Sequence, residues 1–487
     1  MLFAPFCHIL PSLRLPFWQV AVVCKLASLA VLGSALLASF NLPAAETYEL
    51  RSAEKVDSHF ETKVVVQVEG QLKLNADGSS VKRLPVKVDA NLHYVQRTLA
   101  ASGGFTASRV VRHYTAAAAK IKLKETELTN TLRDERNLIV VDSSDKAATT
   151  FSPFGPLNRD EIDLVEVPGS GLAHSALLPE KGVAIGDTWT HPDWAIARLL
   201  NLDAVNQQDI VSKLTDVREN VAIVALEGKV AGAVGGVSSD LELKGKLNFD
   251  LKTKAVTWLA LAFKENRAIG HAQPGFEVIT QMRHLAAPIA ASDLVADKAL
   301  ASLPLEVSPG ATLVEFSAEK ADFELLLDRR WRVMVDRHDV TLMRLVDRGD
   351  LVAQCNISQR PTLPKGEQLA LQVFQADVQK ALGKNFGQIV SAASETTDSG
   401  LHILRVTVSG ASGELPIQWT YYHVSDDAGH RAALVFTIEG NLVERFAQID
   451  RELISGFRFL QEKQPTPAQP AGPELKTAQE PGQTRKD

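Results

Sequence analysis

An α+β chain is what the sequence predicts: an N-terminal curved antiparallel half-barrel with a few helices, then a C-terminal antiparallel sheet flanked by helices. Three features carry this. Long stretches alternate apolar and polar residues with a period of two, turn-forming residues fall between them, and helical patterns are short and set between strand blocks.

In the first region Val64, Val66 and Val68 share one face, Leu84, Val86, Val88, Ala90 and Leu92 another, and Leu241, Leu243, Leu247, Phe249 and Leu251 a third. Such ladders are half-buried antiparallel strands. Turn chemistry separates them at Asn75-Ala76-Asp77-Gly78, within Gly232 to Asp240, and at Lys252-Thr253-Lys254. A helix is expected over Leu157 to Val165, with Asn158 as N-cap and Glu161 at the capping-box position. A second is expected over Pro192 to Val205, with Pro192 in its first turn. A large sheet with one apolar face buries it by curling around such helices, which become a plug or lid.

The C-terminal region reads as strands at Phe323 to Leu327, Arg332 to Val335, Val340 to Val346 and Leu351 to Ile357. A helix over Lys365 to Leu382, three more strands and a closing helix follow. The middle helix aligns Leu371, Phe374, Val378 and Leu382. The closing one has Asn441 as cap, Glu444 at the box position, and the stripe Val443, Phe446, Ile449, Leu453 and Phe457.

Before Glu46 the only charges are Arg14 and Lys25, and Leu26 to Leu42 is almost unbroken Leu, Ala, Val, Ser and Phe ahead of Pro43-Ala44-Ala45. Residues 1–45 are expected to be a signal peptide cleaved near Ala44 or Ala45, which places the chain in the periplasm or outside the cell. The alternative is a retained anchor, since Pro16 to Leu42 is long enough to cross a bilayer; membrane contact is expected only in that case. A lipid anchor fits poorly because Cys24 follows Val23. Removing Arg14 and Lys25 from 52 Lys and Arg leaves 50 against 58 Asp and Glu, a net charge of −8. That balance argues against nucleic acid or an anionic membrane as partner. Of three cysteines, Cys7 and Cys24 lie in the leader, so Cys355 has no intramolecular partner in the mature chain.

The expected organisation is a half-barrel domain over 46–285, a linker over 286–312, a second domain over 313–461 and a disordered tail over 462–487. The linker is rich in Ala, Ser, Leu and Pro, a composition expected to bury little. The tail is rich in Pro, Gln, Gly and Lys, with too little apolar surface to offset the entropy of ordering.

Two resemblances rest on particular residues. Leu177-Leu178-Pro179-Glu180-Lys181-Gly182-Val183-Ala184-Ile185-Gly186-Asp187-Thr188-Trp189 and the strands around Gly245 to Leu251 look like a widespread class of exported bacterial proteins of unknown function. Their sheet resembles the open barrel of periplasmic lipoprotein carriers and receptors; the motifs are structural and carry no catalytic residue across. The C-terminal order, with Phe323-Glu324-Leu325-Leu326-Leu327, Trp331 in the following turn and Ile454-Ser455-Gly456-Phe457, resembles the PsbP-like fold. That resemblance implies a non-enzymatic accessory or assembly role.

The reactive clusters each have a structural explanation. His423-Val424-Ser425-Asp426-Asp427-Ala428-Gly429-His430 is the densest set of metal-ligand types, yet Asp426 to Gly429 is what a hairpin turn requires. There is no His-Glu-x-x-His. Ser170, in Pro168-Gly169-Ser170-Gly171 near His174, and Ser412 both lack the Gly-x-Ser-x-Gly spacing. Asp160, Glu161 and Asp163 suit a helix N-terminus, Gly232 to Gly236 lacks the Lys of a phosphate loop, and Cys355 reads as a buried strand residue. We therefore expect no enzyme, no catalytic residues, no metal and no cofactor. The ligand-binding residues expected are Trp189 and Trp194, which flank the start of the helix that would plug the half-barrel. The function expected is an extracytoplasmic binding or accessory protein whose partner is an apolar small molecule or lipid. A protein-binding assembly factor of the cell envelope and a hydrolase with an unrecognised site are the alternatives.

Overall fold

The computed structural model describes residues 46–460 apart from 76–79, 103–105, 145–147 and 170. The leader and tail expected at the two ends, the turn at Ala76 to Gly78 and Ser170 lie outside the described residues. Among the described residues no helix is long and apolar enough to cross a membrane. The described residues form one compact unit.

Most of it is strand, in sheets that are antiparallel apart from one short parallel pair and none of which closes. The largest has thirteen strands. Its centre runs Val211–Arg218, Val221–Val234, Val237–Asp250, Ala255–Arg267, Gly275–Ile289, His59–Asn75, Val81–Ser102 and Thr106–Leu123, each paired with the next. The predicted ladders lie inside these strands except for Leu251, which falls in the turn after Asp250. Alternation decides which face is buried: Val64, Val66, Leu92, Leu241, Leu243, Leu247, Leu259, Leu261 and Met282 are all buried on one side. The hairpin between Val234 and Val237 is a two-residue Gly235-Gly236 turn, both at positive φ. A side chain on Gly236 would collide with the backbone of Gly349, itself at φ 89° in the turn after Thr341–Asp347. Two turns more than a hundred positions apart in the chain therefore touch backbone to backbone, which glycine alone permits.

Against the buried face pack helix α1 (Arg159–Val165), a 3₁₀ segment (Gly171–Leu177) and helix α2 (Asp193–Leu200). The predicted N-terminus of α1 is present in full. Asn158 Oδ1 accepts from Glu161 N, and Glu161 Oε2 accepts from Asn158 N, both at 2.9 Å. Helix α2 starts after Pro192 as expected, but stops where Asn201 turns left-handed at φ 56°. The remaining residues of the expected helix lead into the strand Ala204–Gln208.

The segment expected to bury little is held down by a few large residues among the small ones. Ala286 to Ile289 finish the strand Gly275–Ile289, a 3₁₀ turn and helix α3 (Asp297–Leu300) follow, and Val295 and Leu300 are buried against Val95, Val111, Leu138, Val140 and Phe151. Arg97 donates to Val295 O at 3.1 Å and pairs with Asp297 at 2.7 Å. Beyond it Val314–Ala318 pairs in parallel with Leu157–Asn158, matching Val314 to Leu157 and Glu315 to Asn158.

The C-terminal region is a seven-stranded antiparallel sheet in the order Trp331–Asp336, Thr341–Asp347, Asp350–Arg360, Arg431–Glu439, Leu415–Ser425, His402–Ser412, Phe386–Thr396. Four strands follow the middle helix where three were expected. That helix, α4, begins at Leu371 rather than Lys365, because Gly366 at φ 80° and the turn from Pro364 O to Glu367 N occupy the preceding residues. Phe374, Val378 and Leu382 bury on Val406, Val408 and Trp419 as the stripe implied. The closing helix is two pieces, α5 (Val443–Phe446) and α6 (Ile449–Ser455), interrupted at Ala447 with φ 45°. Neither piece has a side-chain cap, so the expected Asn441 cap is not made. Phe446, Ile449, Leu453 and Phe457 are nevertheless buried.

Candidate functional site

A pocket opens between the 3₁₀ segment Gly171–Leu177 and the buried face of the large sheet. It is lined by Ser52, Glu54, Phe60, Thr62, Gln96, Gly171, His174, Ser175, Ala255, Val256, His284 and Ala286. Inward register supplies the walls: Thr62 continues the row of Val64 and Val66, and His284 follows Val278, Thr280 and Met282. Of the loop read from sequence as Pro168 to Gly171, Gly171 lines the pocket. A Cβ on Gly169 would overlap Met282, and Gly171 lies against His284 Nε2, so small residues let this loop approach the strand.

The polar groups form a layer across the sheet. Thr98 Oγ1 donates to Glu54 Oε1 at 2.8 Å, and buried Arg112 donates from Nε to Gln96 Oε1 at 2.9 Å. The Arg112 guanidinium lies 4.9 Å from the Tyr94 ring centre, and Tyr94 is 4.8 Å from Tyr114. His174 donates from Nε2 to Gly169 O at 3.1 Å, and meets His284 edge to face at 4.5 Å. Burial lowers the pKa of His174 to about 4, and burial, His174 and Arg112 hold His284 well below its ordinary value. Burial also pushes the Glu54 carboxyl up and the Tyr114 phenol up to about 12.

His284 is the exception in this layer, for it is 3 % exposed and neither ring nitrogen has a hydrogen-bond partner. Buried polar atoms are almost always satisfied, and an orphan costs about 1–3 kcal/mol. A neutral imidazole presents one donor and one acceptor. The two nitrogens point away from each other, so satisfying both takes two groups, an acceptor for the N–H and a donor for the bare nitrogen; water or a hydroxyl can serve at either. Space sets a second limit. About 40 Å³ is open to water-sized atoms, against roughly 10–15 Å³ for one water, so a small polar group fits while an acyl chain does not.

Neither predicted ligand residue lines this pocket. Trp189 is half-buried on the strand Thr188–Thr190 and donates from Nε1 to Leu177 O at 3.0 Å. Trp194, in the first turn of α2, is 50 % exposed under the Arg198 guanidinium. Of the residues picked out by sequence only His174 belongs to the layer. Arg112 and His284 were missed; the available signal was a polar residue at an inward position of an apolar ladder.

The two histidines flanking the Asp426–Gly429 turn have separate partners. His430 Nδ1 is 2.7 Å from Asp426 Oδ2, while His423 accepts from Arg431 Nε at 2.9 Å and is lowered to about 4 by burial and by Arg431. Among the described residues no group of three or more His, Cys, Asp or Glu is placed to hold a metal. His191 Nε2 is 2.8 Å from Ser212 Oγ, but Ser212 is fully buried and out of a substrate's reach. Cys355 is fully buried in its strand, and burial holds its thiol well above the ordinary range.

The fold is thus a set of open antiparallel sheets with a small polar chamber in the first region. No protein-family model matches the chain, and no curated protein matches it. Among solved structures, the PsbP protein CyanoP from Synechocystis sp. PCC 6803 is similar at 15% identity and a TM-score of 0.24, over 32% of this chain and 99% of that one. A lipovitellin structure titled for its lipid–protein interactions is similar at 8% identity and a TM-score of 0.27. That likeness spans 49% of this chain but only 26% of lipovitellin. The translocator domain of the autotransporter NalP from Neisseria meningitidis is similar at 7% identity and a TM-score of 0.13. At these scores the likenesses assign no family and no function.

Proposed function

We propose that the chain is an extracytoplasmic, non-enzymatic binding protein whose first region is a half-barrel closed by its own helices, with the ligand seated at His284. The observation that carries this reading is the buried imidazole with no partner, facing a pocket in which Glu54 and Gln96 are already paired with Thr98 and Arg112. Phe60, Ala255, Val256 and Ala286 supply apolar walls. The ligand that suits the pocket is a small, largely apolar molecule with one hydroxyl, amide or undissociated acid group. A lipid-sized ligand requires the 3₁₀ segment and α2 to move off the sheet.

Native mass spectrometry of protein purified from its own host is expected to show a small non-covalent adduct, lost in His284→Leu. A clean unliganded mass, with no response to hydrophobic fluorescent probes, would count against the reading. A protein-binding role in the cell envelope is the second reading. It is favoured by the eleven-residue edge strand Phe386–Thr396, which exposes Ile389 and Val390 beside a free row of backbone groups. Crosslinking in intact cells that recovers one stoichiometric partner on this strand supports it.

A further inference from the structure

We propose that the face of the large sheet opposite the core docks on a bilayer bearing anionic headgroups. The register places one cross-strand row there: Lys213, Ala225, Lys246, Ala260, Arg283, Val65 and Asn91, each directly paired with the next. Three cations stand on alternate strands, about 9–10 Å apart, with small residues between Lys213 and Lys246 and between Lys246 and Arg283, and no acid in the row. Lys63 stands in the adjacent row, which continues through Leu285 and Trp258 to Asn248. Lys244 lies beyond the first row on the other side, opposite Glu227.

Three observations make this a surface for a partner. Lys63, Lys213, Lys246 and Arg283 are exposed and form no ion pair among the described residues, whereas Arg97, Arg109, Arg133, Arg267, Arg329, Arg405 and Arg445 are each neutralised by a carboxylate. Next to the cations lies apolar surface, with Leu285 45 % exposed and Trp258 half-buried, over an open groove lined by Val65, Trp258, Ala260 and Ala262. The cations are spread along a row rather than converging on a point. That spacing matches many headgroups in a plane better than one phosphate, and an indole beside basic side chains suits a membrane interface. The net charge of −8 argued from composition against an anionic membrane, but docking is decided by the charges at the face, since at physiological salt those more than about 8 Å away are screened.

The test uses the chain from Glu46 onward and phosphatidylcholine vesicles with or without phosphatidylglycerol. Cosedimentation is expected only with the anionic vesicles and is expected to weaken with salt. The triple variant Lys213→Glu, Lys246→Glu, Arg283→Glu should lose about a hundredfold in partitioning, with its thermal melt unchanged because all three side chains are exposed. Lys298→Glu, Lys380→Glu, Lys384→Glu carries the same change in charge elsewhere and should lose far less. Tryptophan emission should shift blue on binding, and the shift should shrink in Trp258→Phe. Equal losses in the two triple variants, no binding by the parent chain, or binding of soluble polyphosphate without binding of vesicles would each overturn the proposal.

Discussion

Glu161→Ala is expected to lower the unfolding free energy by about 3–5 kcal/mol, the range for breaking a buried ion pair from one side. Glu161 is 1 % exposed and takes four hydrogen bonds: Oε1 from Arg133 N at 3.1 Å and Nε at 2.7 Å, and Oε2 from Arg133 Nη2 at 2.8 Å and Asn158 N at 2.9 Å. Burial pushes its carboxyl up, but the Arg133 contact and the backbone amides overrule this and hold it below the ordinary range. Arg133 also reaches Glu315 at 3.1 Å, so the residue that caps α1 anchors the parallel pair Leu157–Val314 as well. Glu161→Gln keeps the capping acceptor and loses the charge, and should fall between parent and alanine variant. Urea unfolding measures both, and a loss below about 1 kcal/mol for the alanine variant would show that Arg133 is held by Glu315 alone.

Acid should destabilise the protein well before its carboxylates titrate. His174, His191 and His423 are each lowered to about 4 and His284 lies well below its ordinary value, with burial the largest cause in every case. Their unfolded value is near 6.5. Above that pH both states are neutral and the stability is fully present. As pH falls below 6.5 the unfolded chain takes up protons that the native state refuses, and each imidazole removes up to about 1.4 kcal/mol per pH unit until its folded pKa is reached. Four acting together predict a loss of several kcal/mol between pH 6.5 and 5. A thermal melt series should show the midpoint falling steeply across that window, with a shallower slope in His174→Phe. A midpoint constant from pH 7 to 5 would contradict the burial of these rings.

Local signals made the elements legible. Asn158 and Glu161 fixed the start of α1 because a capping box is written within four residues, whereas the turn expected over Gly232 to Asp240 narrows to Gly235-Gly236, the residues on either side being strand. The ladders through Val64, Leu92 and Leu247 showed which residues face inward. What they could not show is which strand lies beside which. The polar chamber draws Glu54, Gln96, Arg112, His174 and His284 from five separate stretches of chain, and only the sheet order brings them together. The burial of Val295 and Leu300 was illegible for the same reason, since two large residues in an Ala- and Ser-rich run mean little until their acceptor surface is known.

The pairing of His59–Asn75 with Gly275–Ile289 joins residues between 202 and 230 positions apart, from Lys73 with Gly275 to His59 with Ile289. Until residue 289 has emerged, the strand His59–Asn75 has a neighbour on one side only and shows a bare seventeen-residue edge on the other. Contacts of this sequence separation form late, because the loop must close before any pairing rewards it. A chain synthesised from its N-terminus therefore carries a half-satisfied sheet until residue 289 has been made, the kind of intermediate that aggregates unless it is shielded. Yield of folded protein should accordingly depend on shielding of that edge during synthesis more than on the final stability of the fold.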